Sequence, residues 1–139
     1  MSLWATGARS RSVGVGRRTV WSTQRKIARI YLAIRKCPQP VICLVQGAAC
    51  GGDFSLALAS DVRIAGASAK MNAACIKIGL TGCDMGSSYF LPRRVGTSIA
   101  SELLMTGRFI HAQRALAVNL VSDVVADESL ASRVCRYAL

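Results

Sequence analysis

Residues 41–59 constrain the fold more than any other stretch of the chain. Val41-Ile42-Cys43-Leu44-Val45 is apolar on both alternating faces, the pattern of a strand covered by other layers on both sides. It runs into Gln46-Gly47-Ala48-Ala49-Cys50-Gly51-Gly52, a glycine-punctuated turn, and then into a short buried helix through Phe54, Leu56, Ala57, Leu58 and Ala59. A strand that enters an apolar helix through a double glycine leaves backbone N–H groups unpaired at the positive helix end. Glycine has no Cβ, so a ligand oxygen can approach the main chain closely, and the turn suits a phosphate or a developing oxyanion. The same turn also serves simply to pack a helix tightly on a sheet. It is neither a Walker loop nor a dinucleotide fingerprint, because no Gly-Lys-Ser/Thr follows and the G-x-G-x-x-G spacing fails.

Upstream, Ile27, Ile30, Tyr31 and Ile34 recur at helical spacing, with Arg25, Lys26, Arg29 and Arg35 on the other face. This predicts an amphipathic helix from Trp21 that stops at Cys37-Pro38-Gln39-Pro40, since each proline disfavours helical geometry in the residue before it. Downstream, residues 62–65 read as a second strand and 69–73 as a third, and a glycine-rich loop over 79–88 leads to Tyr89-Phe90-Leu91-Pro92. Helices are predicted over 98–105, 112–117 and from 128 to 137, with a strand over 121–125. Strands alternating with helices indicate an α/β fold. Residues 1–20 carry no apolar period and read as a basic, low-complexity arm ahead of one domain over 21–139.

The chain has 139 residues, 52% of them hydrophobic, enough for a single core that removes roughly two thirds of the unfolded surface from water. The longest uncharged run, residues 37–52, is broken by prolines and glycines and falls short of the roughly 20 apolar residues of a membrane span. The net charge is +11, but it is unevenly placed. Residues 1–36 hold nine basic side chains and no acid, so the remainder is nearly neutral. Such an arm attaches to phosphate backbones or anionic lipid without specificity, and no base-reading module accompanies it. No specific nucleic-acid function is expected. The six cysteines (37, 43, 50, 75, 83 and 135) form no C-x-x-C pair, and His111 is the one histidine, so no metal site is expected. Most of these thiols sit among Val, Ile, Leu and Ala and read as small buried hydrophobes in a reducing, intracellular setting. A cytoplasmic location is expected. The acid-free, Arg- and Ser-rich start resembles a transit peptide in composition, which leaves mitochondria as the alternative.

In order along the chain, Pro40-Val41-Ile42, Val45 through Gly52, Leu56-Ala57-Leu58-Ala59-Ser60-Asp61-Val62-Arg63-Ile64-Ala65, Leu91-Pro92-Arg93 with Val95-Gly96, and Leu104-Met105-Thr106-Gly107-Arg108 resemble the enoyl-CoA hydratase/isomerase (crotonase) family. The resemblance runs from about Trp21 to Leu130. It implies a partial crotonase-like spiral of ββα units, an acyl-CoA thioester substrate of fatty-acid metabolism and no cofactor, coenzyme A being part of the substrate. It also implies a homo-oligomer, trimeric or hexameric. The shared chemistry is stabilisation of a thioester enolate by two backbone N–H donors, and Gly52 matches the second. The first would lie in an N-terminal half that precedes Trp21 in the family and that this chain is expected to lack, which would make the chain the central part of a crotonase.

The family's hydratases use two glutamates, and aligned through Gly52 and Asp61 those positions fall on Ser55 and Cys75. Neither side chain replaces a carboxylate at neutral pH, so two-glutamate hydration is not expected. By the same resemblance, with a one-residue gap, Asp84 matches the aspartate that dienoyl-CoA isomerases use as a base. The expected site is therefore Gly52 and Asp84 as catalytic groups, with Ala48, Cys50, Gly51, Ser55 and Cys75 around the substrate. Asp53, beside the Gly52 amide, would oppose the chemistry if it pointed inward, and His111 is expected to be a cap or surface residue. Whether the chain turns over is open on this reading. The alternatives are a non-catalytic interaction subunit with crotonase-like contacts and a basic arm for anionic surfaces.

Overall fold

The structure, a computed structural model, describes residues 17–82 and 84–135. The chain runs α1 (Arg17–Lys36), β1 (Ile42–Val45), β2 (Ala48–Cys50), α2 (Gly52–Ala59), β3 (Val62–Gly66), β4 (Lys70–Asn72), α3 (Ser87–Val95), α4 (Thr97–Thr106), β5 (Ile110–His111), α5 (Ala112–Ala117), β6 (Asp123–Val125) and α6 (Leu130–Val134). Short 3-10 turns occupy Ala74–Ile78, Asp84–Gly86 and Asp127–Ser129. The first four strands alternate between two sheets. β1, β3 and β6 form one, all parallel, with Ile42 opposite Val62 and Ile64 opposite Asp123. β2 and β4 pair in parallel in the other, and β5 closes antiparallel on β4. The α/β expectation holds. Apolar side chains of α2, Phe54 and Leu58, are fully buried with Met71, Leu91, Leu103, Ile110 and Leu120, so the helix after the glycine turn sits in the core. Among the described residues no helix is long and apolar enough to cross a membrane.

Several boundaries differ from the sequence expectation. The first helix begins at Arg17, inside the stretch read as an arm, while residues 1–16 lie outside the described residues. Tyr31 is buried and Ile27 and Ile34 are half-buried, but Ile30 is exposed. Helix α1 packs along one narrow line on α2 and the Asp84–Gly86 turn, and Ile30 is rotated by about 100° from Tyr31 off that line. The glycine-rich loop is shorter than expected, because α3 starts at Ser87 and carries Pro92 inside it. Burial of Ser87 and Leu91 anchors that helix against the cost of an interior proline, which loses its own N–H bond and crowds the carbonyl four residues back. The two-residue β5 was not expected, and the last helix is interrupted, a 3-10 turn preceding α6. Strand β6 starts at Asp123 because Leu120 and Val121 bury their side chains in the preceding turn.

Three arginines gather at the carboxyl end of α2. Arg63, buried in β3, donates to the carbonyls of Leu120 (2.7 Å), Ser60 (2.8 Å) and Ala57 (3.4 Å). Burial pushes its guanidinium down to about 10, still charged at neutral pH. Arg94 of α3 also donates to Ser60 O, at 3.4 Å. Arg35 of α1 donates through Nη1 to Ala59 O (3.1 Å) and Asp61 Oδ1 (2.6 Å). Cations at a helix carboxyl end complement its negative pole, so these contacts fix α2 at the end remote from the glycines.

Asp61 joins α1 to the sheet by accepting the Val41 amide at 2.9 Å as well as Arg35. The Val41 N–H first, and then Arg35, hold its carboxyl below the usual carboxylate range. A depressed folded value means that the carboxylate stabilises the fold fully above about pH 4, and that this contribution disappears as pH falls through the folded value. Asp61→Ala should therefore cost about 1 kcal/mol at pH 7, a small sum because the pair is partly solvated. Urea unfolding of the two proteins should converge below about pH 3, and an equal gap at both pH values would show that the carboxylate's charge plays no part.

Candidate functional site

The double glycine works through backbone geometry. At Gly51 the chain adopts φ 55 and ψ −110, a left-handed conformation that side chains with a Cβ avoid. Its N–H donates to Asn72 O across the β2–β4 ladder at 3.0 Å, and its carbonyl accepts the Ser55 N–H at 3.0 Å. Gly51 is thus spent on both sides. Gly52 is the first helical residue, half-buried, and its N–H meets no acceptor among the described residues. That is the orphan donor a helix start leaves. Of the other residues expected around a ligand, Ala48 is exposed and Cys50 half-buried on β2, leading into this turn.

Tyr31 and Met85 stand nearest the α-carbon of Gly52. A Cβ there would lie 3.3 Å from Met85 Sδ and 3.6 Å from Tyr31 Oη, and the tyrosine hydroxyl reaches the Gly52 carbonyl at 3.5 Å. These two side chains also line a cavity of about 420 Å³ between α1 and α3, completed by Ala28, Leu32 and Arg35 on one side and Gly86, Tyr89 and Phe90 on the other. An apolar chamber thus adjoins the glycine turn. Asp84 is placed next to it along the backbone, opening the 3-10 turn that carries Met85, whose own φ is 54. The Asp84 side chain lies outside the described residues, as does Cys83.

Ser55 is fully buried, its hydroxyl 2.7 Å from Ser87 Oγ and 3.2 Å from Gly51 O. The position is occupied by packing. Cys75 is buried in the Ala74–Ile78 turn, its Sγ 4.0 Å from where a Cβ on Gly51 would stand. Gly52, Ser55 and Cys75 therefore gather at one turn. Asp53 is exposed and lines a separate depression of about 300 Å³ between β1 and α2 with Leu44, Ala49 and Leu56. His111 takes the N-cap position of α5 without a side-chain cap bond. Among the described cysteines only Cys75 is buried; Cys43 and Cys50 are half-buried and Cys37 and Cys135 exposed, so most of these thiols are not the buried hydrophobes expected, although partial burial raises the Cys43 thiol.

Several participants had no legible signal. Tyr31 read only as part of an apolar helix face, and Met85 and Ser87 as loop. Asn72 is buried, gives its carbonyl to Gly51 and its Nδ2 to Gly107 O at 3.0 Å, and leaves Oδ1 without a partner among the described residues. No spacing rule singles out a residue that acts through its main chain.

A family model described as enoyl-CoA hydratase/isomerase matches residues 5–138. A probable enoyl-CoA hydratase of Mycobacterium tuberculosis is 48% identical over 101 residues, covering 73% of this chain and 35% of the relative. A mitochondrial methylglutaconyl-CoA hydratase of Mus musculus is 37% identical over 114 residues, 82% of this chain and 36% of that protein. The crystal structure of a probable enoyl-CoA hydratase/isomerase from Mycobacterium abscessus superposes with a TM-score of 0.86 at 41% identity, over 88% of this chain and 47% of that one. The chain thus spans about a third of the length of these curated relatives.

The two glycines should respond differently to alanine. A Cβ on Gly51 would meet nothing closer than 3.8 Å, so Gly51→Ala should cost about 2 kcal/mol through backbone strain alone. In Gly52→Ala the flexible Met85 side chain has to yield a few tenths of an ångström, and the cost should be smaller. Denaturant midpoints of the two variants measure this, and a reversed order would place the constraint at the wrong glycine.

Proposed function

The chain belongs to the enoyl-CoA hydratase/isomerase family, and from that premise we propose that it binds acyl-CoA thioesters at the Gly51-Gly52 turn. The observation that carries the reading is the unbonded Gly52 N–H in a residue flanked by Tyr31 and Met85, two side chains that line a largely apolar cavity. A thioester carbonyl at that amide would place its acyl part in the Tyr31–Met85 chamber. When a base removes a proton from the acyl chain, negative charge collects on the thioester oxygen, where the N–H and the positive end of α2 stabilise it. Returning the proton to a different carbon shifts the double bond. Asp84 is the base in this proposal, and hydration by two glutamates is not, since Ser55 and Cys75 stand at those positions. A second reading, binding without turnover, is favoured by the Ser55–Ser87 contact, which fills the place of one carboxylate with a buried hydroxyl pair.

Homo-oligomerisation is part of the same proposal. Ile78, Met105 and Trp21 are exposed at 75%, 76% and 68%, and apolar side chains of that size left in water favour association. Sedimentation should show a species larger than a monomer.

Proline at position 52 provides the test. It is tolerated as the first residue of a helix and deletes the N–H in question. Gly52→Pro should keep the fold while weakening crotonyl-CoA binding in calorimetry and lowering any isomerase turnover by about 100-fold or more. Unchanged binding would remove the amide from the mechanism. Asp84→Asn should lower isomerase turnover by a similar factor and leave binding intact. Binding by the unsubstituted chain with no turnover of 2-enoyl or dienoyl thioesters would favour the non-catalytic reading.

A further inference from the structure

The cavity beside Gly52 is lined mainly by apolar and aromatic side chains, and Arg35 is the one charged residue in its wall. We propose that Arg35 makes the site selective for acyl-CoA thioesters whose acyl chain ends in a carboxylate; this rests on the thioester reading of the Gly52 turn. A guanidinium has five N–H donors, and both bonds that Arg35 makes, to Ala59 O and Asp61 Oδ1, leave from Nη1. The Nε and Nη2 edge donates to nothing among the described residues. That edge is the fork which takes a carboxylate through two parallel bonds.

Asp61 does not neutralise the wall by itself. Arg35, Arg63 and Arg94 converge on the end of α2 with this one carboxylate among them, and Asp61 is influenced by Arg94 as well as by Arg35. Arg93 adds a further cation at the rim, its guanidinium carbon 3.7 Å from the ring centre of Tyr89, another cavity residue. The excess is positive, and an incoming anion would offset it.

Distance sets the length of the acyl group. Gly52 opens α2 and Arg35 binds its last residue, Ala59, so seven helical steps, about 10 Å, separate the oxyanion donor from the guanidinium. A chain with a carboxylate at its far end spans that gap with its apolar middle against Tyr31 and Met85.

Calorimetry with hex-2-enedioyl-CoA and hex-2-enoyl-CoA, which differ in the terminal group, tests this on the full chain. The dioyl thioester should bind about tenfold more tightly, the scale of one charge-assisted bidentate contact. Arg35→Gln should erase the difference. Asp61→Asn, which frees the guanidinium from its internal partner, should widen it, and this variant answers the question should Arg35→Gln not fold. Equal affinities, or a preference that survives Arg35→Gln, would overturn the assignment while leaving the thioester site standing. No binding of either compound would overturn both.

Discussion

The structure depends on how Gly51 disposes of its own amide. Because its backbone is left-handed, the residue turns out of β2 and still donates to Asn72 across the ladder, which fixes the sheet edge and the helix start relative to each other. Its carbonyl then takes the Ser55 N–H and begins the helical pattern. The next amide, Gly52, has nowhere inside the fold to donate among the described residues. The unpaired donor is a geometric consequence of satisfying its neighbour, and it costs little while water or a ligand can reach it.

Helix α2 is held from both ends by opposite means. At its start the main chain is tied through Gly51 and the Ser55–Ser87 hydroxyl contact. At its finish three guanidiniums occupy the carbonyls of Ala57, Ala59 and Ser60, with Asp61 joining Arg35 and the Val41 amide. Buried Phe54 and Leu58 fill the space between. Arg63 illustrates why a buried cation persists here. Its charge is met by two carbonyl oxygens at the end of α2 and by that of Leu120 in the turn after α5, so burial lowers its pKa without discharging it at neutral pH.

The strand and the helix at the two ends of residues 41–59 were legible because each carries its own local cause, an apolar run and an apolar helical stretch. The α/β class followed from them. Strand β2 inside the glycine-punctuated connection was not legible, and β1 is an outer strand of its sheet with Leu44 exposed instead of being covered on both faces. Elements fixed by tertiary contact were not legible. Helix α3 starts inside the stretch that read as a glycine-rich loop and is stabilised by the burial of Ser87 and Leu91, and β5 is too short to carry a period. At the site, Gly52 and Ser55 could be placed by alignment, but the chamber beside them could not. It arises where α1 and α3, distant in sequence, meet over Met85, and Tyr31 looks like any other core residue until its hydroxyl is seen against Gly52.

The serine and cysteine at the two positions that the family resemblance assigns to carboxylates fit their surroundings. A glutamate at position 55 would have to bury a charge against the Ser87 hydroxyl and the Gly51 carbonyl, the second of which repels it. Serine satisfies both, donating its one hydroxyl hydrogen to Gly51 O while accepting from Ser87. Cys75, in the turn beside Gly51, is small and holds no charge near the helix start when protonated. The positive end of α2 thus faces no acid at these two positions, and Asp53 in its first turn, exposed to solvent, offsets only part of its field. On the proposed thioester reading, chemistry at this turn would draw on the amide for charge stabilisation and on a group outside α2 for the proton, a division of labour suited to moving a double bond rather than to activating water.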